Sequence, residues 1–245
     1  MSIAAKNEII AQLQRDILSL QGNTLRESHR QYDTGLGPIE KAFPANKFPI
    51  AAVHEFISTG QQSATATNGF ISGLLGSLVQ NKGACLWISG RRTIYPPALR
   101  QFGIAPEQII FIDVHKPKEI LWVVEEALKC DSLSAVVGEL TELSFTESRR
   151  LQLAVEKSKV TGFIHRFRPR TENIVACVSR WKIKPLPGEL EAGMPGVGLP
   201  RWEVQLQKVR NGKPGTWQVE WANGGFRHLS KPAFVIPGPP QLMTG

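Results

Sequence analysis

Val53-His54-Glu55-Phe56-Ile57-Ser58-Thr59-Gly60-Gln61-Gln62-Ser63-Ala64-Thr65-Ala66-Thr67 couples an extended segment to a helix through a glycine. Val53 to Ser58 reads as a short strand, and Thr67 to Gln80 as a helix. Gly60 to Thr67 therefore stands where a strand hands over to a helix, at the place and length of a phosphate-binding loop. The pattern of such a loop is G-x-x-x-x-G-K-[ST], in which the lysine reaches the terminal phosphates of a nucleotide. Gly60 and Thr67 fit its ends, but Thr65 replaces the second glycine and Ala66 replaces the lysine. The stretch predicts a loop that keeps the shape of a nucleotide site and lacks its chemistry. The helix behind it carries Gly69, Gly73 and Gly76, each costing about 1 kcal/mol in a helix interior. That cost is consistent with a buried helix packed closely on a sheet.

Downstream, apolar strands alternate with helices. Ala84–Ser89, Gln108–Val114, Ser134–Val137 and Val160–His165 read as strands. Pro96–Phe102, the segment opened by Pro117 and the segment capped by Ser144 and Glu147 read as helices. Unbroken apolar strands separated by helices argue for a parallel sheet covered on both faces. After His165 no helix follows. Ile174–Ile183, Arg201–Arg210 and Thr216–Trp221 read as antiparallel strands, with a hairpin turn over 210–215. The expected fold class is α/β: a mostly parallel sheet flanked by helices and extended by antiparallel β strands. Three segments are expected. Residues 1–33 form an N-terminal amphipathic helix (Ile9, Ile10, Leu13, Ile17 and Leu20 on one face) and a linker. Residues 34–221 form the core domain, and 222–245 a flexible Gly/Pro-rich tail.

The chain has 245 residues, 42% of them hydrophobic, and a formal net charge of +8. That length holds one large domain or two small ones, and the basic balance points to a polyanionic partner. Cys85, Cys130 and Cys177 show no C-x-x-C spacing and read as reduced, mostly buried thiols. With no signal-like apolar start and no apolar run of about 20 residues, a cytoplasmic protein without membrane contact is expected. No metal-ligand spacing and no Ser-His-Asp or Cys-His arrangement is found, so neither a metal nor a catalytic residue is assigned. The six tryptophans are expected in the core or across strands.

The order of parts resembles the RecA-like fold and, more narrowly, the ImuA family of accessory proteins in bacterial damage-induced mutagenesis. The resemblance is carried by Trp87-Ile88-Ser89 with Tyr95-Pro96-Pro97-Ala98-Leu99, by Leu121 to Leu128, by Ala135 to Leu140, by Arg149 to Ala154, by Arg180-Trp181, and by Pro200-Arg201-Trp202 through Trp221. Against the RecA pattern, the lysine slot falls on Ala66, the water-activating acid on Arg91 and the metal-side aspartate on Gly138. Thr67 alone keeps its hydroxyl. Glu139 lies one step past the metal-side slot, on the opposite strand face. Gly60, Thr65, Ala66, Thr67, Arg91 and Gly138 thus make up a degenerate nucleotide site. The resemblance implies no cofactor and no ATP hydrolysis, since phosphoryl transfer needs charge neutralisation, Mg²⁺ and a positioned water.

A basic stripe is the positive signal. Arg166, Arg168 and Arg170 fall in the link between two strands, with Phe167 among them, and Arg180, Lys182 and Lys184 share one face of the next strand. In RecA-like proteins this link grips single-stranded DNA, so a phosphate-directed contact is expected here; a solvated strand edge is the structural alternative. The second DNA loop is shortened to Thr141–Thr146. The resemblance implies a non-enzymatic scaffold or regulator of translesion synthesis in the SOS response, nucleoid-associated. Its implied partners are an ImuB-type polymerase-like protein, an error-prone DNA polymerase, RecA and single-stranded DNA, with self-association through the N-terminal helix. A SulA-like inhibitor of cell division that binds FtsZ is the alternative.

Overall fold

A computed structural model describes residues 34–80, 83–189, 196 and 198–229; the expected N-terminal helix and the last part of the tail lie outside these. One nine-stranded sheet organises the described chain, in the order β3-β2-β4-β5-β1-β6-β7-β8-β9. The strands are β1 (Val53–Ser58), β2 (Ala84–Ser89), β3 (Ile109–Asp113), β4 (Leu133–Leu140), β5 (Thr161–Phe167), β6 (Ser179–Leu186), β7 (Arg201–Val209), β8 (Gly215–Ala222) and β9 (Gly225–His228). Pairing is parallel from β3 to β6 and antiparallel from β6 to β9.

Helix α1 (Gln61–Val79) covers one face of the sheet; α2 (Pro117–Leu128) and α3 (Phe145–Ser158) cover the other. Each face has its own apolar core. Under α1, Phe56, Phe70, Trp87, Phe163, Trp181 and Trp202 are buried together. Trp181 lies parallel to Phe56, with ring centroids 6.0 Å apart and planes inclined by 8°. The closeness anticipated from the helix glycines is present. A Cβ on Gly76 would lie 2.0 Å from the Phe102 carbonyl oxygen, and one on Gly73 would lie 2.6 Å from the Phe226 ring. Behind the sheet, Val124 and Leu128 of α2 and Leu151 and Val155 of α3 pack on Val136 and Ile164. The capping box forms as read: the Glu147 N–H donates to Ser144 Oγ at 3.2 Å, and the Ser144 N–H donates to Glu147 Oε2 at 2.7 Å.

Pro96–Phe102 forms the short helix as read, with 3-10 geometry. Several boundaries differ from the sequence reading. Residues 174–178 precede the strand that begins at Ser179. The sheet continues past Trp221, because Phe226 of β9 packs edge-on to Trp221 with centroids 4.9 Å apart. The tail therefore begins after the sheet edge, not at residue 222. Cys85 and Cys177 are buried, but Cys130 is exposed beyond the end of α2. Trp122 is exposed on the outside of α2.

Candidate functional site at the carboxyl edge of the sheet

Ligands of open α/β sheets sit outside the carboxyl ends of the strands, where the first strand hands over to its helix. Here that crossing is short. Gly60 has extended backbone (φ −144°, ψ 169°) and is the N-cap of a helix whose first residue is Gln61. The Ala64 N–H already donates to the Gly60 carbonyl at 3.0 Å. Ser63 Oγ accepts from the Gly60 N–H at 3.1 Å and donates to the Gly60 carbonyl at 2.9 Å. The helix thus starts six residues before the Thr67 boundary read from the motif. The expectation of an intact loop shape is corrected: residues 61–66 are helical turns, whose ladder begins with the Ala64 N–H on the Gly60 carbonyl. The composition gives the reason. Without the second glycine and the lysine, Gln61, Gln62, Ala64 and Ala66 are ordinary helix formers, and no residue forces an open loop.

The other members of the expected nucleotide site do not converge. Thr65 is exposed, and its hydroxyl donates to the Gln61 carbonyl at 3.1 Å. Ala66 is buried in the core under α1. Arg91 is exposed beyond β2, where its neighbour Arg92 pairs with Asp113 at 2.7 Å and lies over the Phe111 ring. A Cβ on Gly138 would meet Val124 Cγ2 at 2.5 Å, so this position faces α2, away from Thr67. Glu139, not Gly138, points to the α1 side, where it accepts from Trp87 Nε1 at 2.8 Å.

A protein-internal polar chain lies at this edge. The Thr67 hydroxyl, fully buried, shares a hydrogen bond with Ser58 Oγ at 2.9 Å, and Ser58 Oγ meets His165 Nε2 at 2.9 Å. His165 and Glu139 are opposite each other on neighbouring strands. Burial holds the His165 imidazole down to about 4, so it is neutral at pH 7. Burial also raises the Glu139 carboxyl, against the opposing pull of the Trp87 hydrogen bond. The one hydroxyl that matched the phosphate motif is therefore engaged inside the fold, and the Glu139 carboxyl is held by an indole. Among the described residues no group of three or more His, Cys, Asp or Glu is placed to hold a metal ion.

The basic stripe divides into buried and exposed parts. Arg166 lies within β5, not in the link, and its side chain is fully buried, so it is no DNA contact. It donates to Glu55 Oε1 at 2.7 Å, and Arg180 donates to Glu55 Oε2 at 2.5 Å. The register explains the convergence: Glu55 stands beside Arg180 on β6, and Ile57, on the same face, stands beside Arg166 on β5. Arg166 also binds the Thr171 carbonyl and Asn173 Oδ1, each at 3.0 Å, and so fastens the link that follows β5. Arg180 and Lys182 are half-buried and Lys184 exposed; they share one face as read, but Lys182 pairs with Glu172 and Lys184 with Glu203. Arg168 and Arg170 are exposed, and the Arg168 guanidinium lies over the Phe167 ring at 5.1 Å. Glu55 was the unread signal. A carboxylate in the middle of an apolar strand requires a cationic partner on the same face.

Protein ImuA from Caulobacter vibrioides, in strains NA1000 / CB15N and ATCC 19089 / CIP 103742 / CB 15, is 32% identical to this chain over 199 residues. The alignment covers 76% of this chain and 82% of the relative. The chain belongs to the ImuA family. The match names this family rather than the SulA family considered as the alternative. No family model matches the chain. Among solved structures, the crystal structure of the RadB recombinase superimposes with a TM-score of 0.55 at 14% identity, covering 82% of this chain and all of that one. The fold is RecA-like: a mostly parallel sheet between helices, extended by antiparallel strands. No helix of the described residues is long and apolar enough to cross a membrane.

Proposed function

We propose that this ImuA-family chain is a non-hydrolysing accessory factor of DNA-damage-induced mutagenesis and translesion synthesis, acting through its surfaces. One observation carries the reading: α1 begins at Gln61, directly behind β1, so the turn that would wrap a triphosphate is built as helix. The buried bond between Thr67 and Ser58 supports it, because the hydroxyl that would meet Mg²⁺ is turned to a protein partner. Within this reading the partners are an ImuB-type protein, an error-prone polymerase, RecA and single-stranded DNA, and residues 1–33 serve self-association.

Genetic complementation tests the reading. Cells lacking the chain are expected to lose damage-induced mutations, and Thr67→Val is expected to restore them as fully as the wild type. A Thr67→Val strain as deficient as the deletion, with the protein present at normal abundance, overturns the reading.

Any DNA contact falls to the exposed arginines of the stripe, Arg168 and Arg170, beside the half-buried Phe167. Phosphate contacts of this kind act by charge and weaken with salt. Reversing both charges (R168E with R170E) is expected to weaken binding of a 20-nucleotide oligo-dT at least tenfold and to flatten its salt dependence, as measured by fluorescence anisotropy. Unchanged affinity and salt slope remove DNA from this surface. Arg166 is left out of the test because its loss would unfold the region.

A further inference from the structure

Three hydrogen bonds join the link after β5 to the segment that opens α3, and a fourth joins the end of β5 to it. The Arg170 N–H donates to Glu142 Oε1 at 2.8 Å, and Arg166 Nη2 to Glu142 Oε2 at 3.4 Å. Asn173 Nδ2 donates to the Leu143 carbonyl at 2.8 Å, and the Ala176 N–H to Ser148 Oγ at 2.9 Å. The joined surface presents large apolar side chains to solvent: Ile174 is 76% exposed, Phe145 55% and Leu153 49%. Phe145, Arg149 and Leu153 follow at i, i+4 and i+8 of α3, a spacing that puts them on one outward face.

The charges around this face are unbalanced. Glu142 is held by Arg166 and the Arg170 N–H, Glu147 by the Ser144 N–H, and Glu172 by Lys182. Every carboxylate of the two joined segments is thus bonded within the fold. The guanidinium groups of Arg149 and Arg170 enter none of the ion pairs or hydrogen bonds found among the described residues, and both side chains are exposed. Glu156, two turns beyond Arg149, is the nearest unengaged acid on α3. An apolar face flanked by two exposed, unpaired cations complements a ligand that is both acidic and apolar.

We propose that the face formed by Phe145, Arg149, Leu153, Arg170 and Ile174 docks a short acidic peptide segment, bearing large apolar side chains, of a partner protein. Ile174 and Leu153 decide for a peptide over a nucleic acid, because aliphatic side chains offer a base no ring to stack on. The partner's apolar side chains bury Phe145, Leu153 and Ile174, while its carboxylates meet Arg149 and Arg170. This deepens the accessory reading by naming the chemistry of one partner, and the two fail separately: nucleotide binding would overturn the first and leave this surface untouched.

Selection from a displayed library of random 16-residue peptides, panned on the full chain, tests it. Acidic peptides rich in Leu, Ile, Phe or Trp are expected to be enriched. Their affinity is expected to fall at least tenfold for Phe145→Ser and for Arg149→Glu, both exposed positions whose thermal unfolding is expected to match the wild type. The proposal is overturned if no peptide is enriched, or if the enriched peptides lack acidic or apolar residues. It is equally overturned if both variants bind them as tightly as wild type, or if Phe145→Ser and Arg149→Glu weaken binding of the 20-nucleotide oligo-dT in place of the peptides.

Discussion

Glu55→Gln is expected to lower the unfolding free energy by about 3–5 kcal/mol, the usual consequence of breaking a buried ion pair from one side. Glu55 and Arg166 are both fully buried, and Arg180 is largely so. The wild-type arrangement holds two guanidinium groups on one carboxylate, with further hydrogen bonds to Thr171 and Asn173. Removing the negative charge leaves Arg166 buried and without its main counter-charge, which is the expensive state. The link over residues 168–178 loses its anchor at the same time. Urea unfolding at pH 7.5 checks this: the midpoint is expected to move well below that of wild type with an unchanged slope. Exposed-pair substitutions such as Glu119→Gln, which breaks the surface bridge to Lys116, are expected to change stability by less than about 1 kcal/mol.

Acidification should destabilise the chain well above the carboxylate range. His54 is wholly buried; its ring meets Ser179 Oγ and the Pro49 carbonyl, each at 2.7 Å, and stacks on Phe48. Burial lowers it from 6.5 to about 4, with the Pro49 bond pulling the other way, and burial lowers His165 equally. Both imidazoles stay neutral in the fold down to about pH 4, whereas the unfolded chain takes up their protons at about pH 6.5. Between those values the unfolded state binds more protons, so stability rises with pH there. The full contribution is present above pH 6.5 and is lost as pH falls toward 4. Each histidine accounts for about 3 kcal/mol over the whole window. Urea midpoints measured from pH 7.5 to 4.5 are expected to fall steadily, and His54→Asn is expected to make the decline shallower. A midpoint that is flat between pH 6.5 and 5 contradicts the burial of both rings.

The alternation of strand and helix was legible because the parallel strands are mostly apolar and each outer helix carries a single apolar stripe. The Ser144–Glu147 capping box was legible because its two bonds are local. The start of α1 was not. The spacing of Gly60 and Thr67 imitates a loop motif, while the residues between them favour a helix, and local propensity prevailed. The position of Arg166 was misread through a strand boundary set two residues short, at His165 rather than Phe167. That shift moved a buried arginine into an exposed link and hid its pairing with Glu55, which is 111 positions away in the chain. In the same way, the glycines around β9 concealed a strand whose Phe226 belongs to the core under α1. Glu139 was visible as a candidate, but which face it shares with Thr67 depends on where α1 and α2 pack, and one strand's pattern does not contain that.

With helix from Gln61 in place of a phosphate loop and the Thr67 hydroxyl bound to Ser58, Mg·ATP is expected to find no seat at the carboxyl edge of the sheet. Calorimetric titration of the full chain with Mg·ATP checks this. No saturable heat is expected up to millimolar nucleotide, for the wild type and Thr67→Val alike. A one-to-one isotherm with micromolar affinity that Thr67→Val abolishes would contradict it.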